Sequence, residues 1–254
     1  MALRGLTHSG FGNLVSGVFT TARVTNGTIE GLAAHISRLE NGARLLAAEH
    51  GISFGQDLRF TLERADFERK SYLDAMVRMA LGVDPRGHSG HFVEFAPARR
   101  KRWEIGDRPL VLTTARDPRS VVDIKRFPRT DLLRVEERAT AAEADGVVLM
   151  QSGDALCEGT WFHIIAAEGR RWRTPPIGQV IPGTTRERVL IGLRAEGATV
   201  SEGSLTPAEL GGLDGLYALS ALLEIAPIAS VGGIEVSAAG TEAHVATLRR
   251  ALHG

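Results

Sequence analysis

The sequence predicts a mixed α+β / α/β chain built as two domains. Two observations lead there. Segments with strand period and segments with helix period alternate along the whole chain, which argues for sheets covered by helices. A polar, proline-containing stretch, RDPRS at 116–120, separates two halves that each hold both kinds of segment. With 254 residues, 43% of them hydrophobic and 24% charged, the chain can bury a large core and has an ordinary globular composition.

The first strand is read in SGVFTTARVTNG, where Val18, Thr20, Ala22 and Val24 alternate with Phe19, Thr21 and Arg23. Asn26-Gly27 supplies a tight hairpin turn. A helix follows over about 30–50, with Leu32, Ile36, Leu39, Ala43 and Leu46 at three- and four-residue steps and Gly51 as its stop. Arg38 lies off that stripe. Residues 56–82 read as mostly helical, turning to strand at AMVRMALGV, and 84–108 read as irregular. RPLVLTTAR, 108–116, reads as a strand. The domain boundary is placed after it, giving domains 1–116 and 120–254.

The second domain opens with a strand through Lys125 in SVVDIKRF. A charged helix is expected over about 129–144. A meander follows: GVVLMQ, a turn at SGD, ALCEGTWFHIIAA, a turn at EGR, then RWRTP. PGTTRERVLIGLRAEG reads as turn and helix ended by Gly197. ATVSEGSL reads as a strand, and Thr206-Pro207 starts a short helix with a capping residue and proline at its first position. GLYALSALLEIAPIASVGG supplies further apolar strand.

Several function classes are disfavoured. The formal charge is zero, so no broad field for nucleic acid or an anionic membrane exists. The basic run ARRKRWE with Trp103 reads as a solvated face. The most apolar stretch is interrupted by Glu224 and Pro227 and is too short to span a bilayer. MALRGLTHSGFGNL holds no apolar run of signal-peptide length. Cys157 is the single cysteine, which fits a reducing, cytoplasmic setting. His88 and His91 have metal-like spacing, but nothing nearby completes a tetrahedral set, so no metal site is expected.

Only three of the 30 basic residues are lysines: Lys70, Lys101 and Lys125. Lys70 and Lys101 sit among charges, whereas Lys125 follows an apolar stretch that could carry its amine into a dry pocket. A desolvated lysine has a lowered pKa and attacks aldehydes. Glu158 lies within an apolar strand pair, where a carboxylate needs a partner. That partner is either a structural cation or a protonated ring nitrogen. Pro182-Gly183-Thr184-Thr185 opens a helix and can hold an anion, phosphate being the usual guest, or simply cap the helix. Arg38 can clamp a phosphate or meet solvent. Thr21 and Arg23 share a strand face that can line a pocket for a carboxylated substrate.

Together these are the parts a pyridoxal 5'-phosphate site needs: a lysine, a carboxylate for the pyridine nitrogen and phosphate donors. Here the chain resembles the class IV pyridoxal-phosphate enzymes of fold type IV, which include branched-chain and D-amino-acid aminotransferases and aminodeoxychorismate lyases. GVFTTARVTNG with AAHISRLENGARLL resembles the aminodeoxychorismate lyase N-terminal motif. DIKRFPRTDLLRVEE resembles the segment holding the Schiff-base lysine, which maps to Lys125. ALCEGTWFHI and PGTTRERVL resemble the glutamate motif and the phosphate turn, mapping to Glu158, Thr184 and Thr185. The resemblance maps Arg38 to a phosphate ligand and places Ser220 and Ala221, in SALLEIAPI, near the phosphate. It implies a smaller α+β N-terminal domain, a larger C-terminal domain carrying Lys125, a homodimer and a small-molecule amino substrate. The reaction most closely implied is release of pyruvate to give 4-aminobenzoate. The alternatives are a class IV aminotransferase and a catalytically silent relative that binds a partner. The sequence also departs from the family it resembles: His163 stands where the family has asparagine, VDPRGHSGHF replaces a glycine-rich segment, and no tyrosine directly follows Lys125.

Overall fold

The computed structural model describes residues 11–51, 74–97, 108–117 and 123–254. The chain forms two compact units, one of residues 1–100 with 124–130, the other of 101–123 with 131–254.

In the first unit β1 (Ser16–Thr25) turns through Asn26 and Gly27 into β2 (Thr28–Ile29). Both turn residues have positive φ, 49° and 71°, as a two-residue hairpin of this hand requires. Helix α1 (Leu32–His50) follows and ends on Gly51 at φ 66°. β3 (Asp74–Val83) and β4 (Ser89–Pro97) complete an antiparallel sheet ordered β2-β1-β3-β4. One face of that sheet (Val18, Ala22, Val24, Val77, Met79) packs on Ile36, Leu39, Ala43 and Leu46 of α1. These are the helix positions expected from periodicity. β3 is the strand expected at AMVRMALGV; the helix expected before it lies outside the described residues over 56–73. The irregular segment expected over 84–108 instead contains β4. Its nine-position register against β3, with Val93 and Phe95 on the helix side, overrides a composition rich in glycine, proline and histidine.

In the second unit β5 (Leu110–Arg116) pairs in parallel with β7 (Gly146–Met150), after α2 (Thr130–Ala141). The intervening β6 (Arg126–Phe127) instead pairs with β1. The domain boundary expected at 116–120 therefore differs from the observed division at two points. β5 stays with the second unit, because β7 and β13 flank it, and Lys125, expected in the C-terminal domain, goes with the first. Next come β8 (Leu156–Gly159), β9 (His163–Glu168), β10 (Arg171–Thr174), α3 (Thr184–Ala195), β11 (Thr199–Glu202), β12 (Gly215–Ser220), β13 (Glu224–Val231) and β14 (Ile234–Glu235). The strand order is β11-β10-β9-β12-β13-β5-β7-β8, and β8 pairs again with β9, so six of these strands close into a ring. Leu110, Leu112, Val148, Leu156, Ile164, Leu216, Ala218 and Ile228 form one core of this unit. A second core lies under α3 and a final helix, α4 (Thr241–His253), which the sequence reading did not anticipate. Among the described residues no helix is long and apolar enough to cross a membrane.

Candidate active site

The local sequence fixes where Lys125 lies in the first unit. Gly17 and Gly82 face each other across β1 and β3. A Cβ on Gly17 would come within 2.1 Å of a backbone oxygen, so both positions must stay bare. The Phe127 ring packs on that bare backbone, and a Cβ on Gly82 would lie 2.9 Å from it. On the other side Ile124 fits against Gly42 of α1, where a Cβ would lie 2.7 Å from its methyl. Lys125 is thus held between two anchors. Its carbonyl accepts the Phe19 N–H at 3.0 Å, and its Nζ stands 5.0 Å from the centre of the Phe19 ring. That places the amine over an aromatic face, a cation–π contact. Phe19 itself belongs to a cluster with Phe11, Ala80 and Phe127.

Arg38 reaches across from α1 and donates through Nη2 to Thr20 Oγ1. The same hydroxyl meets His35 Nδ1 at 2.6 Å. Thr20 and His35 are buried and were not singled out from sequence; the signal was a threonine on the apolar face of β1. Thr21 and Arg23 are half-buried on the opposite face, and Arg23 Nε donates to Asp74 at 3.2 Å. Arg78 of β3 stands directly beside Thr21 in the register. It pairs with Glu94 and lies 5.7 Å from the Phe11 ring centre. The sequence reading missed Arg78 as well, although it is the one cation in AMVRMALGV.

In the second unit Glu158 is 3% exposed. The chain folds sharply at Gly159, where a Cβ would strike the Phe162 ring at 2.2 Å, and the Gly159 N–H donates to the Phe162 carbonyl at 2.7 Å. This turn sets His163 directly opposite Glu158. Glu158 Oε1 accepts the Ile181 N–H at 3.1 Å, and Oε2 lies 3.0 Å from His163 Nε2. Two residues on, Gly183 precedes α3, with no side chain to cap the helix. Thr184 and Thr185 are buried in its first turn. A helix start concentrates N–H groups lacking intrahelical partners and a partial positive charge. Ser220 ends β12, and its Oγ accepts the Leu223 N–H at 3.0 Å, closing the turn that holds Ala221.

The structure thus brings Glu158, Thr184 and Thr185 onto one connected stretch of the second unit, while Thr21 and Arg23 on β1, Lys125 just before β6 and Arg38 on α1 belong to the first. Chemically the first set offers a buried carboxylate and an anion-binding turn. The second offers an amine over an aromatic ring with Arg23 on the same strand face, and the Arg38 guanidinium at Thr20 on the face covered by α1. His88, half of the metal-spaced pair, is 3.3 Å from Asp84, and among the described residues no three histidine, cysteine or acidic side chains gather as a metal set.

The chain is similar to several known proteins. A Methanocaldococcus jannaschii protein with the provisional name branched-chain-amino-acid aminotransferase is 27% identical over 227 residues, 85% of this chain and 79% of that protein. A hypothetical aminotransferase from Mycobacterium tuberculosis, solved in its PLP-bound form, superposes with a TM-score of 0.81 at 18% identity, over 93% of this chain and 88% of that one. A Legionella pneumophila structure provisionally named 4-amino-4-deoxychorismate lyase gives 0.80 at 20% identity, covering 94% and 91%. At those identities the two structures establish the fold. The family model for amino-transferase class IV matches residues 17–231, most of the chain. The chain belongs to the class IV amino-transferase family and is a pyridoxal-phosphate enzyme of that family.

Proposed function

We propose that this enzyme is a lyase of the aminodeoxychorismate type, releasing pyruvate from an amino-bearing, carboxylated ring to leave 4-aminobenzoate. The observation that carries the reading is the Lys125 amine over the Phe19 ring, on the strand that also presents Thr21 and Arg23. An aromatic floor beside a cationic strand face suits a planar carboxylated ring better than an aliphatic chain. The stretches FTTARV and SALLEIAPI support the same choice by resemblance.

The residues fit the cofactor. A buried carboxylate approached by N–H donors, Glu158, suits a protonated ring nitrogen, and the uncapped start of α3 with two buried hydroxyls suits a phosphate. Bound pyridoxal phosphate supplies an electron sink for negative charge on the carbon beside the substrate amine. In this reading Lys125 would hold the cofactor through Nζ and would move protons at that atom. Glu158 holds the ring-nitrogen proton. Thr184 and Thr185, with Arg38, Ser220 and Ala221, anchor the phosphate and so fix the ring. Thr21 and Arg23 orient the substrate carboxylate, and we add Arg78 to them for its place in the register.

The test is pyruvate release from aminodeoxychorismate with no keto acid present. Pyruvate formation supports the lyase. Turnover only of amino-acid and keto-acid pairs would establish the second reading, an aminotransferase for branched-chain or D-amino acids, which the Methanocaldococcus relative favours. Borohydride reduction with peptide mapping should place the cofactor adduct on Lys125, and Lys125→Ala should lose it. We further propose a cytoplasmic homodimer, checked by sedimentation of the holoenzyme.

A further inference from the structure

Glu158, His163, Ile181 and Gly183 form a closed arrangement within the second unit. His163 Nε2 lies 2.7 Å from the Ile181 carbonyl and 3.0 Å from Glu158 Oε2. Both neighbours are acceptors, so the ring carries its proton on Nε2. Ile181 closes the circuit by donating its N–H to Glu158 Oε1 at 3.1 Å. The Cε1 side of the same imidazole lies under Gly183. A Cβ there would stand 2.4 Å from Cε1, 2.7 Å from Nδ1 and 2.8 Å from Nε2. Gly183 has φ −92°, a value any residue adopts, so glycine is needed for room and not for conformation. The histidine ring and the bare glycine are therefore two halves of one packing solution.

We propose that His163 is a positioning residue for the bound cofactor. Its Nε2–H holds the Glu158 carboxylate in one orientation, and its ring edge sets the height of the Gly183 turn. One side chain thereby registers the partner of the ring nitrogen against the donors for the phosphate. The proposal rests on the assignment of Glu158 and the Thr184–Thr185 turn given above.

The experiment uses the full chain, stripped of cofactor and titrated separately with pyridoxal phosphate and with inorganic phosphate. His163→Phe keeps an aromatic ring under the turn, a somewhat larger one, and deletes the donor. It should weaken pyridoxal phosphate roughly tenfold, the effect of one hydrogen bond to a charged group. Inorganic phosphate should bind it within about twofold of the parent, because packing under the turn is retained. His163→Gln restores a donor and should recover most of the pyridoxal phosphate affinity. Gly183→Ala should weaken inorganic phosphate and lower the melting temperature, and both penalties should shrink when His163→Ala is added. Equal Gly183→Ala penalties in both backgrounds would overturn the proposal. So would unchanged pyridoxal phosphate affinity in His163→Phe while Glu158→Gln weakens it. If Glu158→Gln itself changes nothing, the assignment of Glu158 fails, and the role of His163 toward the cofactor fails with it. The His163–Gly183 coupling in melting temperature would in that case mark a structural pair alone.

Discussion

Arg186 shows how much one residue can carry. It is 1% exposed, in the first turn of α3, directly after the two threonines assigned to the phosphate. Its Nη2 donates to the Pro175 carbonyl at 2.9 Å and to Glu202 at 2.8 Å. A guanidinium buried this deeply is tolerated because Nη2 reaches both a carbonyl and a carboxylate, which offsets a buried Nε that makes no hydrogen bond. Arg186→Ala should destabilise the protein by about 2–3 kcal/mol, since it opens a cavity, strands the Pro175 carbonyl and removes the partner of Glu202. Chemical denaturation of the cofactor-free protein measures this directly. At the same scale the sequence was legible where a residue type is rare. Lys125 stood out as the lysine next to apolar sequence, and Glu158 as an acid in a strand pair. Thr20, His35 and Arg78 were not legible, because threonine, histidine and arginine occur widely in this chain and only strand register shows which of them meet.

At the scale of elements, α3 and α4 approach backbone to backbone. A Cβ on Gly192 would lie 2.0 Å from the Ala251 carbonyl oxygen and 2.6 Å from its Cα. No rotamer relieves a clash with main chain, so the helices must separate. Gly192→Ala should cost about 3 kcal/mol, the upper end for overpacking, and lower the melting temperature by roughly 5–10 °C. Gly211 has nothing within 4 Å of its would-be Cβ, so Gly211→Ala is the matched control and should change stability by less than about 0.5 kcal/mol. Strong periodicity made α1 and α3 readable. α4 escaped because it is mostly solvated, its buried contacts being Leu248, Ala251 and Leu252 near its end. β4 escaped because its strand character comes from pairing with β3 and not from its own composition.

For the whole molecule, a set of carboxylates links stability to pH. Burial raises the pKa of Asp145, but hydrogen bonds from Arg108 and the Val111 N–H and the Arg108 charge outweigh it, leaving the pKa below its ordinary value. Burial likewise raises Glu202, and the Arg186 hydrogen bond and charge overcome it. Glu209 is lowered chiefly by the Thr206 hydroxyl, then by Arg173. Each group binds its proton more weakly when folded than when unfolded. Their contribution is complete above the unfolded values, about 4, and is lost as pH falls through the folded ones. Stability should therefore hold near neutrality and drop below about pH 4. Asp145→Asn should flatten part of that drop while lowering stability at pH 7. Melting curves across pH 3–8 in both proteins, an illustrative range of roughly that width, check it.

The sequence by itself determined the mixed class, nearly every strand and helix with its own periodicity, the family, and the candidate residues proposed for a pyridoxal phosphate site. These are legible because local period, turn chemistry and short motifs are written in consecutive residues. Tertiary structure alone decided that Lys125 belongs to the first unit, that β8 returns to β9 and closes a ring, and that His163 faces both Glu158 and Gly183. Each of these depends on which distant strands pair and in what register. A shift of one residue in register exchanges the faces of a strand, and consecutive residues do not encode that choice.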